Sequence, residues 1–122
     1  MGHEWTYDAR MAEVRYFAAE EIREAREWAG GGGIAIHRNF DVDGMVVGGK
    51  VRQGAAWHVL GPQDALLEWG LAHHLNPSWL QHPGDPRRVH WDVFGALARK
   101  LERQAEVQRQ SLEDAQGQLK LD

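Results

Sequence analysis

Apolar residues recur at steps of three and four through the first quarter of the chain: Met11, Val14, Phe17 or Ala18, Ile22, Ala25 and Ala29. Glu13, Glu20, Glu24 and Glu27 fall outside that stripe. The spacing predicts an amphipathic helix over residues ~9–29, with one apolar face and one wet face. Gly30 is read as its left-handed C-cap, and Gly31 to Gly33 as a slack joint.

The pattern then changes to that of strands. Ile34-Ala35-Ile36-His37 reads as a short strand, Asp41 to Gly44 as turn chemistry and Met45-Val46-Val47 as the returning strand. Gly48-Gly49 reads as a bulge or bend, and Ala55 to Leu60 as a third strand. Pro62 suits the first turn of a helix that Ala65, Leu66, Trp69, Ala72 and Leu75 continue and Asn76-Pro77 stops. Ser78 to Gln81 reads as a short strand, His82 to Arg88 as a loop, and Val89 to Val93 as another strand. A last helix starts near residue 95, where Leu97, Leu101, Ala105, Leu112 and Ala115 make a thin stripe among pairs such as Arg99–Glu102 and Arg109–Glu113.

This order predicts an α+β fold: a small sheet of about four to five short strands, packed by an N-terminal helix and a middle helix, with a long C-terminal helix. Residues 1–108 are expected to form the single domain, and residues 109–122 a helical or frayed tail. Self-association through the tail's stripe is the alternative to a solvated end.

Composition narrows the classes. A chain of 122 residues, 43% apolar and 26% charged, can bury one ordinary core. It contains no cysteine, which excludes disulfides and thiolate-zinc sites. The first ten residues include Glu4 and Asp8 and no apolar stretch, so no signal peptide is read. No run approaches the ~18 apolar residues of a membrane span, so a cytoplasmic location without membrane association is expected. The net charge of −4 is concentrated in residues 1–30, which carry −3. With no basic face visible, general nucleic-acid binding is not expected.

Three motifs are rejected on mechanism. Gly44 to Lys50 has the spacing of a phosphate-binding P-loop, but Met45-Val46-Val47 is β-forming, Val51 stands in the Ser/Thr place and no helix follows. Asp41-Val42-Asp43-Gly44 opens like a calcium loop, yet Arg52 occupies the position of the closing Glu. His73 and His74 are helical neighbours that point in different directions.

The stronger constellation spans Trp57 to Asp92 and combines Trp57-His58, Trp79-x-Gln81, Arg87-Arg88 and His90-Trp91-Asp92. In a strand, His90 and Asp92 share one face and Trp91 takes the other. A His and an Asp on one face can orient a proton, ligate a metal or grip a ligand. Arg87 or Arg88 could hold a phosphate or carboxylate, and Gln81 could read an amide or base edge. The bland alternatives are that Asp92 caps the last helix and that the tryptophans are core bulk.

Ala56-Trp57-His58, Leu67-Glu68-Trp69, Trp79-Leu80-Gln81-His82-Pro83 and Val89-His90-Trp91-Asp92-Val93 occur in an order that resembles a family. Its members are small, uncharacterised bacterial and phage domains that share a His–Tyr–Asp tripeptide after a Trp-and-Gln segment. The resemblance covers residues ~45–101 and implies site positions at His58, Trp79, Gln81, His90 and Asp92. Trp91 stands where the family has tyrosine, so any role of that hydroxyl is absent. The family's opening strand usually carries an acid that Ile34 to His37 lacks, which weighs against a metal. The resemblance implies a bacterial or phage accessory protein and a site, but no reaction.

The leading expectation is therefore a binding module with a polar, Trp-lined pocket for a nucleotide-like or other small anionic ligand, and no metal or identified cofactor. Its ligand-binding residues would be Trp79, Gln81, Arg87, Arg88, His90 and Asp92. The alternative is a small hydrolase, with or without a metal, whose catalytic candidates His58, His90 and Asp92 serve as ligands or as general acid and base. A third reading is a phage structural or host-interacting protein without catalysis.

Overall fold

The computed structural model describes residues 12–41 and 43–121. In chain order these form β1 (Val14–Phe17), a 3-10 turn (Ala19–Glu21), α1 (Ile22–Gly30), β2 (Ile34–Asp41), β3 (Val46–Val47) and β4 (Lys50–Val51). They continue with β5 (Ala55–Leu60), α2 (Gln63–Ala72), a second 3-10 turn (Pro77–Trp79), β6 (His90–Val93) and α3 (Gly95–Leu121). Four strands make a mixed sheet in the order β1-β2-β5-β6, while β3 pairs with β4 in a separate ribbon. β1 runs parallel to β2, and the other pairings are antiparallel. The fold is α+β, with the long C-terminal helix that the periodicity predicts.

The first element differs from its prediction. Val14 to Phe17 form a strand, not a helix, and register against Ile34 to His37. Met11 and the rest of the predicted helix's start lie outside the described residues. Val14 and Phe17 fit a helical stripe by spacing, but Val-Arg-Tyr-Phe is also β-branched and aromatic. Pairing to a neighbouring strand overrides a weak local propensity. The parallel pairing of β1 with β2 needs a crossover, and α1 supplies it. That helix runs through Gly30, and the left-handed residue is Gly32, at φ 102°.

Two further expectations are corrected. β2 does not pair with residues 45–47; it is eight residues long and pairs with β5. Residues 46–51 instead close on themselves through Gly48 and Gly49, at φ 61° and 78°. Two successive positive φ values define the tight hairpin turn that glycines favour. Ser78 to Gln81 is not a strand either. Asn76 caps the 3-10 turn by accepting from the Ser78 N–H at 3.0 Å, and only Gln81 bridges to β6.

Strand alternation divides the sheet into two faces. Ile34 and Ile36 of β2, Trp57 and Val59 of β5, and Trp91 and Val93 of β6 enter the main core. There they pack with Leu66 and Trp69 of α2 and Ala98 and Leu101 of α3. On the opposite face a smaller cluster joins Phe17, Ala25 and Ala35, with Trp28, Ala29 and Leu60 around it. Helix α1 covers this face over β1, β2 and the end of β5, which leaves the β5–β6 side for polar residues.

α2 approaches β6 closely because residue 70 has no side chain. A Cβ on Gly70 would lie 2.4 Å from Cζ2 of Trp91, whose indole is 1% exposed and donates to the Leu66 carbonyl at 2.8 Å. Gly70→Ala is therefore expected to destabilise the fold by about 1–3 kcal/mol through overpacking. In an open helix the same change would gain about 1 kcal/mol, so a urea melt reads the sign directly.

α3 lies along the β1 edge. The Gln108 amide accepts from the Tyr16 backbone N–H at 2.8 Å and donates to its carbonyl at 2.9 Å. A side chain thus satisfies part of an edge that would otherwise offer itself to another strand. From Arg109 to Gly117 the helix is exposed. No helix among the described residues is long and apolar enough to cross a membrane.

Candidate metal centre

The polar side of the sheet is built by register. His37 of β2, His58 of β5 and Asp92 of β6 stand opposite one another on three adjacent strands. His90 shares their face because it lies two residues before Asp92, and Trp91 between them enters the core. Nε2 of His58 lies 3.1 Å from Asp92 Oδ1, and Nε2 of His90 lies 3.2 Å from the same oxygen. All three ligand atoms fall within 4.8 Å of one another. The side chains are between 20% and 34% exposed, sheltered but open to solvent.

The hydrogen bonds around the cluster determine where its lone pairs point. His90 Nδ1 lies 2.7 Å from the Arg88 carbonyl, which can only accept. Nδ1 therefore carries the hydrogen, and Nε2 of the neutral ring is an acceptor. The Asn39 amide nitrogen lies 2.9 Å from His58 Nε2, so that ring nitrogen has both Asn39 and Asp92 as neighbours. The Nε2 lone pair of neutral His90 thus faces a carboxylate oxygen, a contact that a cation, either a proton or a metal ion, satisfies. Anchoring the distal ring nitrogen on a backbone carbonyl is how proteins orient metal-binding histidines. Ligands placed 2.0–2.1 Å from a tetrahedral ion are about 3.3 Å apart, close to the His–Asp separations seen here.

Two supports of the cluster were not singled out from the sequence. His37 is 5% exposed and donates from Nε2 to the Ala19 carbonyl at 2.9 Å. Its Nδ1 is buried without a partner among the described residues, and its ring lies 6.4 Å from that of His58. Asn39 is the second. Period-two counting along β2 would have placed both on the His58 face had that strand been read to its full length.

Without a metal the cluster holds a proton. The hydrogen bond to Asp92 raises the pKa of His90; burial opposes this, and the Arg88 carbonyl and the Asp92 charge add to it. Burial pushes Asp92 upward, but hydrogen bonds from His58 and His90 outweigh it and hold the carboxyl well below the usual carboxylate range. The stabilisation from His90 is complete below about pH 6.5 and is lost as pH rises through its raised value. That from Asp92 is present above about pH 4 and is lost only in strong acid. Metal-free protein should therefore melt higher at pH 6 than at pH 8.5, and Asp92→Asn should shrink the difference. Thermal melts in excess EDTA check this.

A cleft of about 770 Å³ opens beside the cluster. His58 and His90 line it, together with Arg26 of α1 and His82, Arg87 and Arg88 of the loop before β6. The Asp85 carboxylate accepts from the Arg87 backbone N–H at 3.0 Å and so shapes the turn that presents the arginines. His82 sits at φ 53°, in the left-handed region, with its ring 6.0 Å from that of His90.

Of the predicted site residues, His58, His90 and Asp92 come together, and Arg87 and Arg88 line the same cleft. Trp79 and Gln81 do not line it. Trp79 is 59% exposed on its 3-10 turn. Gln81 exchanges backbone hydrogen bonds with His90 at 2.9 and 3.1 Å, while its amide turns back onto the Trp79 carbonyl. Trp57 and Trp91 face the core, so no tryptophan among the described residues walls the cleft. Comparison with protein-family models, curated proteins and solved structures finds no match to this chain.

Proposed function

We propose that this chain is a small hydrolase whose single divalent ion is held by His58, His90 and Asp92. The observation that carries the reading is the convergence of His58 Nε2, His90 Nε2 and Asp92 Oδ1 within 4.8 Å of one another, the His90 ring being anchored on the Arg88 carbonyl. Three protein ligands with a remaining open position are the mark of a catalytic rather than a structural site. When bound, such an ion polarises the scissile group and makes water a nucleophile near neutral pH.

The chain's own residues supply the rest. The Arg88 carbonyl orients the His90 imidazole from its distal nitrogen, and the cleft admits the substrate beside the cluster. His82, exposed at the cleft, is placed to deliver the proton that the leaving group requires. Water adds across an ester: the bond to the leaving oxygen breaks, hydroxyl joins the phosphoryl or acyl centre, and a proton joins the alcohol.

The test is turnover of p-nitrophenyl phosphate and p-nitrophenyl acetate before chelation, after chelation and after restoration with Zn²⁺ or Mn²⁺. The expected result is hydrolysis that chelation abolishes and the metal restores. Turnover that survives chelation, or none under any condition, would overturn the reading.

A further inference from the structure

The cleft's lining has an unusual charge balance. Among the described residues its titratable side chains are Arg26, Arg87, Arg88, His58, His82 and His90, and no carboxylate lines it. This occurs in a chain whose net charge is −4. Outside the cleft Arg38 pairs with Asp41 and Glu102, Arg109 pairs with Glu106 and Glu113, and Arg15 lies over the Trp28 ring. None of the three cleft arginines is in an ion pair among the described residues. All three are exposed, so their charges are free to meet a ligand.

They also come from two sides. Ile22, Arg26 and Ala29 project from one stripe of α1, at steps of four and three residues, and put one guanidinium on that wall. Arg87 and Arg88 come from the loop on the other wall, and the Arg88 backbone is tied to His90 by the 2.7 Å hydrogen bond. His58 and His90 of the cluster line the same cleft from the sheet. Guanidinium groups converging from two directions suit an anion with several oxygens spread around one centre. A planar carboxylate would be matched by one fork alone.

From this we infer that the cleft is a phosphate clamp and that the substrate class is a small phosphorylated molecule, gripped by Arg26, Arg87 and Arg88. The inference deepens the hydrolase reading and rests on it for the chemistry, but the clamp itself needs no metal. A cleft of about 770 Å³ has the size of a small-molecule site. The negative total charge disfavours a long polyanion as the natural occupant.

Calorimetric titration of the EDTA-stripped chain with inorganic pyrophosphate tests the clamp. Saturable one-to-one binding is expected, weakening as salt rises and at least tenfold weaker in both Arg26→Gln and Arg87→Gln. Zn²⁺ titrations of the same variants should match the parent. Absence of pyrophosphate binding, or binding indifferent to both substitutions, overturns the clamp, and if Zn²⁺ still binds, the metal centre stands. Arginine-dependent pyrophosphate binding by a chain that takes no Zn²⁺ supports the clamp and overturns the hydrolase. A single-stranded oligonucleotide that binds as tightly as pyrophosphate through the same arginines overturns the small-molecule assignment.

Discussion

Trp91→Ala is expected to cost the fold about 3–5 kcal/mol, the range for deleting a large buried aromatic side chain. The indole is 1% exposed, fills the space left by Gly70 and donates to the Leu66 carbonyl at 2.8 Å. Its removal leaves a cavity between α2 and β6 that neither element can close alone. Against a typical total of about 5–15 kcal/mol, much of the population should unfold on mild heating. The neighbours on either side should behave oppositely, because alternation puts His90 and Asp92 on the cleft face. His90→Ala and Asp92→Asn are expected to cost no more than about 1–2 kcal/mol each. Urea melts of the three variants side by side read the alternation. A small loss for Trp91→Ala, or equal losses for all three, would show that β6 is not placed as described.

The second large effect concerns the metal. Changing a supporting residue around a metal site typically costs 10–100-fold in affinity or activity, so losing a ligand should cost at least about 100-fold. His58→Ala, His90→Ala and Asp92→Asn are each expected to reach that loss in Zn²⁺ affinity, with turnover falling alongside. His73→Ala is the control. That imidazole stacks on Trp69 at 4.0 Å and bonds to the Trp69 carbonyl, with no part in the cluster. If His73→Ala weakened Zn²⁺ binding as much as His90→Ala, the ion would be bound elsewhere.

Much of this was legible in the chain. The His90-Trp91-Asp92 alternation survives intact because a four-residue strand with one buried face admits only one register. The pairing of His58 with Asp92 was not legible, since cross-strand register between segments more than thirty residues apart depends on the whole sheet. The first strand was misread because Val14, Phe17, Ile22 and Ala25 satisfy a helical period across a real strand-to-helix boundary. Glu21 marks that boundary by accepting from the Ala18 N–H at 2.8 Å, but the decisive partner, β2, lies beyond α1. The tryptophans stay ambiguous in the sequence for a different reason. Their size suits either a stacking wall or a core, and only the sheet's sidedness decides between them. Arg26 escaped notice because its wall of the cleft is assembled by packing, far in sequence from Arg87 and Arg88.

The X-ray absorption spectrum of the Zn²⁺-loaded chain tests the metal centre most directly, because it reads the ligand shell itself. A four-coordinate shell at about 2.0–2.1 Å is expected, with two imidazole nitrogens, one carboxylate oxygen and one oxygen from solvent. A shell of three or four imidazoles, or one made wholly of oxygen, would contradict a site built from His58, His90 and Asp92.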